Sequence, residues 1–407
     1  MGPGARAGPK APRPDGFQHE RRRNQTTSKG VRLYCAATFL RIFRVIVHAN
    51  LDATMTPSRS SARSSTLRQP APRVSQQLAR SKARRYAVAG LVTAGTLAIA
   101  ALVNRRFANK AERENPPTGH FLEIGGVRIH YVERGEGEPL VLLHGNGSMI
   151  QDFESSGLIN MAAKNYRVIT FDRPGYGHSD RPRSTIWTPE AQADLIHAAL
   201  GRIGVSRATV LGHSWGCSVA VALALKHPHA VSGLVLASGY YYPTVRADVV
   251  GMSAPAIPII GDIIRHTVAP ILGRLMWPLL TRKIFGPAPV PRKFAGFPKE
   301  MAFRPSQIRA SAAESALMIP DAFAARGHYA DLKIPIVIIA GEDDRLIAID
   351  DQSARLHDDI AQSTLHRVPG VGHMVHQTAT ASVMAAIDEV ATAAQRRPEP
   401  DNVRLAA

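Results

Sequence analysis

The most constraining stretch of the 407-residue chain is Gly212-His213-Ser214-Trp215-Gly216, set between the apolar run 208–211 and the helix-like run 217–226. A strand that turns straight into a helix with one residue at its apex holds that residue in strained backbone. Side chains two positions before and after the apex would collide, so glycine is needed at 212 and at 216. The Ser214 hydroxyl then projects above the sheet, at the positive end of the helix dipole. Gly-x-Ser-x-Gly recurs by chance in many chains. A strand before it and a helix after it are what make Ser214 a candidate nucleophile.

A serine hydroxyl is a weak nucleophile at neutral pH and needs a base. Of the 16 histidines, His373 stands in the Gly-rich loop Pro369-Gly370-Val371-Gly372-His373-Met374, after a short alternating run at 365–368. His376 is the nearest alternative. His213 lies inside the turn, too close in sequence to face Ser214. The base needs an acid to set its tautomer and stabilise the imidazolium. Ala340-Gly341-Glu342-Asp343-Asp344-Arg345 follows the apolar run 336–339, with Asp344 favoured and Asp343 and Glu342 as alternatives. The order serine, acid, histidine results. A second glycine loop, His144-Gly145-Asn146-Gly147-Ser148, follows the run 140–143. The backbone N–H groups of Asn146 and Trp215 are the expected oxyanion donors, with His144 as a structural brace. No Cys/His spacing suggests a metal site, and no cofactor is expected. Cys35 and Cys217 lie far apart, which argues against a disulfide framework.

The surrounding texture is α/β. Residues 121–124 and 127–132 read as a hairpin around Gly125-Gly126. The runs 140–143, 168–171, 209–211, 234–236 and 336–339 are continuously apolar, as strands covered on both faces require, and helical patterns such as 189–203 lie between them. This alternation predicts a mostly parallel sheet flanked by helices. Residues 240–325 break it with a Pro- and Leu-rich stretch expected to be a mainly helical cap, its helices at 257–280 interrupted by Pro258, Pro270 and Pro278. Its apolar side chains, Met276 and Trp277 among them, are expected to select an apolar substrate.

The net charge of +18 looks like a nucleic-acid signal until it is located. Residues 1–85 hold 18 Lys and Arg against three acids, leaving only about +3 for the remainder. The charge belongs to a leader poor in large apolar residues, expected to be disordered, and nucleic acid is not expected as a partner. A short amphipathic run at 39–51 and a possible alternative start at Met55 are its other features. Residues 86–103 then run uncharged between Arg84-Arg85 and Arg105-Arg106. A helix of that length spans roughly 27 Å, close to a hydrocarbon core of about 30 Å. The expectation is a single-pass membrane anchor at 86–104, with the following domain on the non-cytoplasmic side. A cleaved signal peptide, a twin-arginine signal and a mitochondrial transit segment are the competing readings.

Taken together, the His-Gly loop, the Asp172-Arg173-Pro174-Gly175-Tyr176-Gly177-His178-Ser179 loop, the Ser214 turn, the Gly-x-x-Asp loop and the Gly-His loop resemble, in order, the serine-nucleophile α/β-hydrolases with a cap. The resemblance covers about 118–395. It implies a Ser214-His373-Asp344 triad and a hydrolase of ester-type bonds in hydrophobic or lipid-like molecules. Carbon–carbon bond hydrolases and cofactor-free haloperoxidases share the pattern, and a non-catalytic receptor or scaffold is the alternative of another class. Epoxide hydrolases and haloalkane dehalogenases carry Asp where Ser214 stands. Asn146 is similar to the dehalogenase loop, although Gly147 replaces the proline expected there. The expected domain is 112–396, with 397–407 as a flexible tail.

Overall fold

The computed structural model describes residues 72–396, with side chains from residue 83 onward except those of Ala247, Asp248 and Val250. The run 39–51, Met55 and the tail 397–407 lie outside the described residues. The described residues from Ser81 onward form one unit, and it carries the sheet.

Eight strands form one sheet: β1 (His120–Ile124), β2 (Val127–Arg134), β3 (Glu138–Leu143), β4 (Tyr166–Phe171), β5 (Ala208–His213), β6 (Val231–Ala237), β7 (Ile336–Gly341) and β8 (Ser363–Val368). Their order is β1-β2-β4-β3-β5-β6-β7-β8. The first two pairings, β1 with β2 and β2 with β4, are antiparallel, and all others are parallel. The helices used below are α1 (Pro72–Glu114), α2 (Ile150–Ser156), α3 (Pro189–Arg202), α4 (Trp215–Lys226), α5 (Ile260–His266), α6 (Val268–Phe285), α7 (Pro305–Ala325) and α8 (Thr380–Gln395).

The continuous apolar runs become the central strands because both faces are covered. Val141, Leu143, Val210, Leu234, Leu236 and Ile338 pack against residues of α3 and α4 on one face. Leu140, Leu142, Leu211, Val235, Val337 and Ile339 pack against α2 and α8 on the other. Neighbours along a strand point to opposite faces, so a strand buried twice cannot alternate with polar residues. Each such side chain contributes about 1.5–3 kcal/mol of burial. Thr188 caps α3, its hydroxyl accepting from the Ala191 N–H at 3.3 Å, with Pro189 at the first helical position.

The insertion between β6 and β7 contains helices and, among the described residues, no strand. It departs from expectation in one respect. Pro270 and Pro278 do not interrupt α6, which runs through both. Pro270 sits in the first turn, where its missing N–H would have had no partner. Pro278 does forgo one helical bond, but Trp277 beside it and Phe285 below it anchor the helix in an aromatic cluster.

The long helix α1 has two parts. Within it, Ala83–Glu114 reaches a mean hydropathy of 2.0 over an 18-residue window, none of which is buried among the described residues. Its final turns are built into the domain. Asn104 is buried and donates to the carbonyls of His266 and Thr267 at 3.0 and 2.7 Å, while its Oδ1 accepts from Arg274 at 2.8 Å. Ala111 is buried beside Phe285 and Met301.

Candidate active site

Ser214 sits between β5 and α4 with φ 52° and ψ −119°, the left-handed side of backbone space that a residue with a Cβ rarely occupies. Both flanking glycines are required by close approach. A Cβ on Gly212 would lie 2.4 Å from the Gly216 carbonyl oxygen, and one on Gly216 would lie 2.1 Å from that of Leu143. The turn is therefore held against β3, the strand that feeds the His144–Ser148 loop.

Three loops at the carboxyl ends of β5, β7 and β8 bring Ser214, Asp344 and His373 together. Nε2 of His373 lies 3.0 Å from Ser214 Oγ, and Nδ1 lies 2.8 Å from Asp344 Oδ2. The other carboxylate oxygen of Asp344 accepts the backbone N–H groups of Leu346 and Ile347 at 2.7 and 3.0 Å. That leaves Oδ2 aimed at the imidazole. Asp343 is committed elsewhere, accepting from the Gly370 N–H at 2.9 Å, and Glu342 is exposed. His376 does not reach Ser214. It is buried with Nε2 3.1 Å from Asp152 Oδ1, stacked obliquely on His213 with ring centroids 4.2 Å apart. His213 in turn lies with Nε2 3.2 Å from the His373 carbonyl, behind the catalytic candidate. Among the described side chains, Asp152, His213 and His376 bring their ligand-type atoms within 4.8 Å of one another. The Asp152 carboxylate is already taken by Ser148 Oγ at 2.8 Å and Gln377 Nε2 at 2.9 Å, so the group is a brace among three chain segments.

The Asn146 loop is fastened from both sides. Asn146 Nδ2 donates to the Ser311 carbonyl and Ser315 Oγ of α7, at 3.2 and 3.1 Å, and its Oδ1 lies 2.9 Å from the Tyr176 hydroxyl oxygen. The side chain is thus spent on α7 and Tyr176, and the backbone N–H is the expected oxyanion donor. The N–H of Trp215 is the first in α4, and the first four N–H groups of a helix have no acceptor within it. His144 accepts from the Arg173 N–H through Nε2 at 3.0 Å, and its Nδ1 lies 2.8 Å from the Gly145 carbonyl. Burial first, then the Arg173 guanidinium, lowers its pKa to about 4, so it stays neutral as a brace should.

Sequence reasoning missed the group that holds this loop. Arg173, fully buried, donates through Nε to the His144 carbonyl at 2.7 Å and through Nη2 to that of Gly145 at 3.0 Å. Its counter-ion is Glu314 of α7, 2.5 Å away and equally buried, which also accepts from Tyr176 at 2.7 Å and Gln192 at 3.1 Å. The Asp172–Ser179 loop was a visible motif, but nothing local to Glu314 marks it out.

Trp277 lies in an apolar cluster, stacked on Phe294 and Phe297 at 6.1 and 6.0 Å. The cluster includes Met149, just after the Asn146 loop, and Met374, next to His373. Met276 is half exposed on the outer side of the same helix.

A family model described as the alpha/beta hydrolase fold matches residues 138–380. A 2-hydroxymuconate semialdehyde hydrolase from Pseudomonas sp. (strain CF600) is 31% identical over 136 residues, 33% of this chain and 48% of the relative. The chain thus spans about half the length of this relative and of several other curated relatives. A 2-hydroxy-6-oxo-2,4-heptadienoate hydrolase from Pseudomonas putida aligns more fully, 26% identical over 64% of this chain and 91% of its own length. Among solved structures, a thermophilic esterase from Thermogutta terrifontis superposes with a TM-score of 0.56 at 20% identity, covering 68% of this chain and 99% of that one.

Proposed function

The chain belongs to the α/β-hydrolase fold family, and on that premise we propose that it is a membrane-tethered serine hydrolase acting on an ester-type bond of an apolar or lipid-like substrate. The observation that carries the chemistry is the unbroken relay from Ser214 Oγ through both nitrogens of His373 to Asp344. In this reading Oγ attacks the carbonyl carbon while His373 Nε2 takes its proton. The carbonyl oxygen becomes an anion held by the N–H groups of Asn146 and Trp215. Collapse expels the alcohol, which leaves with the proton from His373, and the acyl group stays on Ser214. Water, deprotonated by the same imidazole, then releases the acid and restores Ser214. Asp344 holds the tautomer that presents Nε2 as acceptor.

The apolar substrate class is supported by the cap. Helices α5 and α6 leave Ile260, Ile263, Leu272, Leu275 and Leu279 exposed, and α6 is tied by Arg274 to the end of α1. An exposed apolar surface of this kind, beside a helix long enough to span a bilayer, fits contact with lipid. Trp277 would act through its cluster, as a wall behind the loops of Asn146 and His373, and Met276 as part of the outer surface.

A second reading is the same groups hydrolysing a carbon–carbon bond in a 2-hydroxy-6-oxo-dienoate, the kind of compound named for the hydrolase aligned over 91% of its length. A fluorophosphonate probe should label the wild type and not Ser214→Ala; labelling that survives would end the nucleophile assignment. Turnover of p-nitrophenyl esters of graded chain length, compared with turnover of a 2-hydroxy-6-oxo-dienoate, separates the readings. Faster hydrolysis of the dienoate by two orders of magnitude in kcat/KM would replace the ester reading with the second.

A further inference from the structure

We propose that the protein carries a second binding site, for a phosphate-class oxyanion, in a cavity lined by Arg128, Arg181, Arg183, Arg265, Arg304 and Arg309. The cavity has a volume of about 590 Å³ and is bounded by the last turn of α1, β2, the loop after β4, α5 and the start of α7. It is distinct from the site around Ser214. Successive helix residues are separated by 100°, so Arg309 stands about 200° around α7 from Ser311, the residue whose carbonyl holds Asn146. The two sites occupy opposite faces of one helix.

The lining is over-supplied with positive charge. Arg183 and Arg265 share one carboxylate, Asp262, at 2.8 Å each. Arg304 pairs with Glu112 at 2.8 Å, and Arg128 reaches Asp180 only at 3.7 Å. Arg181 lies 3.7 Å from Glu314, a carboxylate already engaged by Arg173 at 2.5 Å. Arg309 has no carboxylate within ion-pair distance among the described residues; it donates to the Arg181 carbonyl instead. Six guanidinium groups therefore face three carboxylates of their own rim. Burial, then Arg183, Arg265 and Arg181, holds the Arg309 pKa below its ordinary value. Guanidinium stays protonated in proteins, so this crowding is a repulsion that the fold sustains and that a bound anion relieves. Concave, low-dielectric walls lined by one sign of charge concentrate the field on a counter-ion. Planar forks of this kind bind the oxygens of phosphate in pairs, and α7 adds the positive end of its dipole at Ser306.

The same chemistry is offered by a soluble phosphate and by the headgroup of an anionic lipid. Neighbouring α5 exposes Ile260 and Ile263 beside Asp262 and Arg265, the arrangement a lipid headgroup with its chains would meet. The proposal is independent of the bond that Ser214 attacks. It is tested by calorimetric titration of the full chain in neutral detergent at physiological ionic strength. One arm uses inorganic phosphate. The other uses nanodiscs of phosphatidylcholine with and without phosphatidic acid. Arg309→Gln and the exposed Arg183→Gln should each weaken binding tenfold or more while leaving turnover of a short soluble ester within twofold. Binding of both probes establishes the shared chemistry; binding of phosphatidic acid alone assigns it to lipid, and of phosphate alone to a soluble ligand. No binding of either probe to the wild type, or binding that Arg309→Gln leaves unchanged, overturns the site. If Arg309→Gln does not fold, Arg183→Gln carries the same decision.

Discussion

Replacing Glu314 by alanine tests whether the Asn146 loop is held by a buried ion pair reaching down from the cap. The carboxylate is fully buried and accepts from Arg173, Tyr176 and Gln192. Removing it leaves the Arg173 guanidinium inside the protein without a counter-ion, and Arg181 nearby adds a like charge. Breaking a buried pair from one side costs about 3–5 kcal/mol. A domain of this size loses roughly 2–4 °C of Tm per kcal/mol, so a fall of about 10 °C is expected. Activity should fall too, because Arg173 holds the carbonyls of His144 and Gly145, directly before the Asn146 N–H. Loss of one oxyanion donor costs about 10²–10³ in kcat, and a loosened one should cost less, about tenfold, with KM little changed. The direction with pH follows. Burial pushes the Glu314 carboxyl up, but Arg173 and Arg181 outweigh it and hold it below its ordinary value. A depressed carboxyl contributes stability that is present above the unfolded pKa and is lost as pH falls through the folded one. The difference in Tm between wild type and Glu314→Ala should therefore shrink towards low pH. The assays are calorimetric melting across pH and ester kinetics, with Arg173→Met/Glu314→Leu as the double variant. That pair should recover part of the lost stability, since neither charge remains. A single variant that melts within 2 °C of wild type would refute the reasoning.

Three further outcomes are expected. Gly216→Ala places a Cβ 2.1 Å from the Leu143 carbonyl oxygen; backbone cannot yield as a flexible side chain does, so probe labelling of Ser214 should be lost even in whatever fraction purifies folded. Burial, chiefly, holds His144 near pKa 4 and His213 well below the ordinary value, so the unfolded chain binds more protons than the native one below about pH 6.5. Stability should fall from pH 6.5 to 4, by up to about 3 kcal/mol through His144 alone, and His144→Asn should reduce the slope in urea titrations by close to one proton. The full-length protein should stay in the pellet on carbonate extraction, and a protein starting at residue 112 should be released but melt lower than one starting at residue 100, because it lacks Asn104 and Ala111; equal melting would show that the end of α1 contributes nothing to the domain.

The sequence alone determined what local sterics and periodicity can determine. Gly212 and Gly216 are legible because no other residue fits a turn this tight, whatever surrounds it. The central strands are legible because burial on both faces leaves no polar alternation. The order of Ser214, the acid loop and the His373 loop is legible because each follows a strand-like run, continuous or alternating, and so ends at the same edge of a parallel sheet. Local pattern was silent wherever the partner lies far along the chain. Glu342, Asp343 and Asp344 are three adjacent carboxylates, and the closing of their loop onto Gly370, Leu346 and Ile347 is what leaves Asp344 facing His373. The apolar side chains of α5 and α6 read as a pocket lining, yet many of them face outward, because the aromatic cluster around Trp277 sets the rotation of α6. Arg173 and Glu314 are separated by 141 positions, and the arginine-lined cavity draws on five segments. Which distant charges meet depends on how helices pack across the sheet, and no spacing along the chain encodes that.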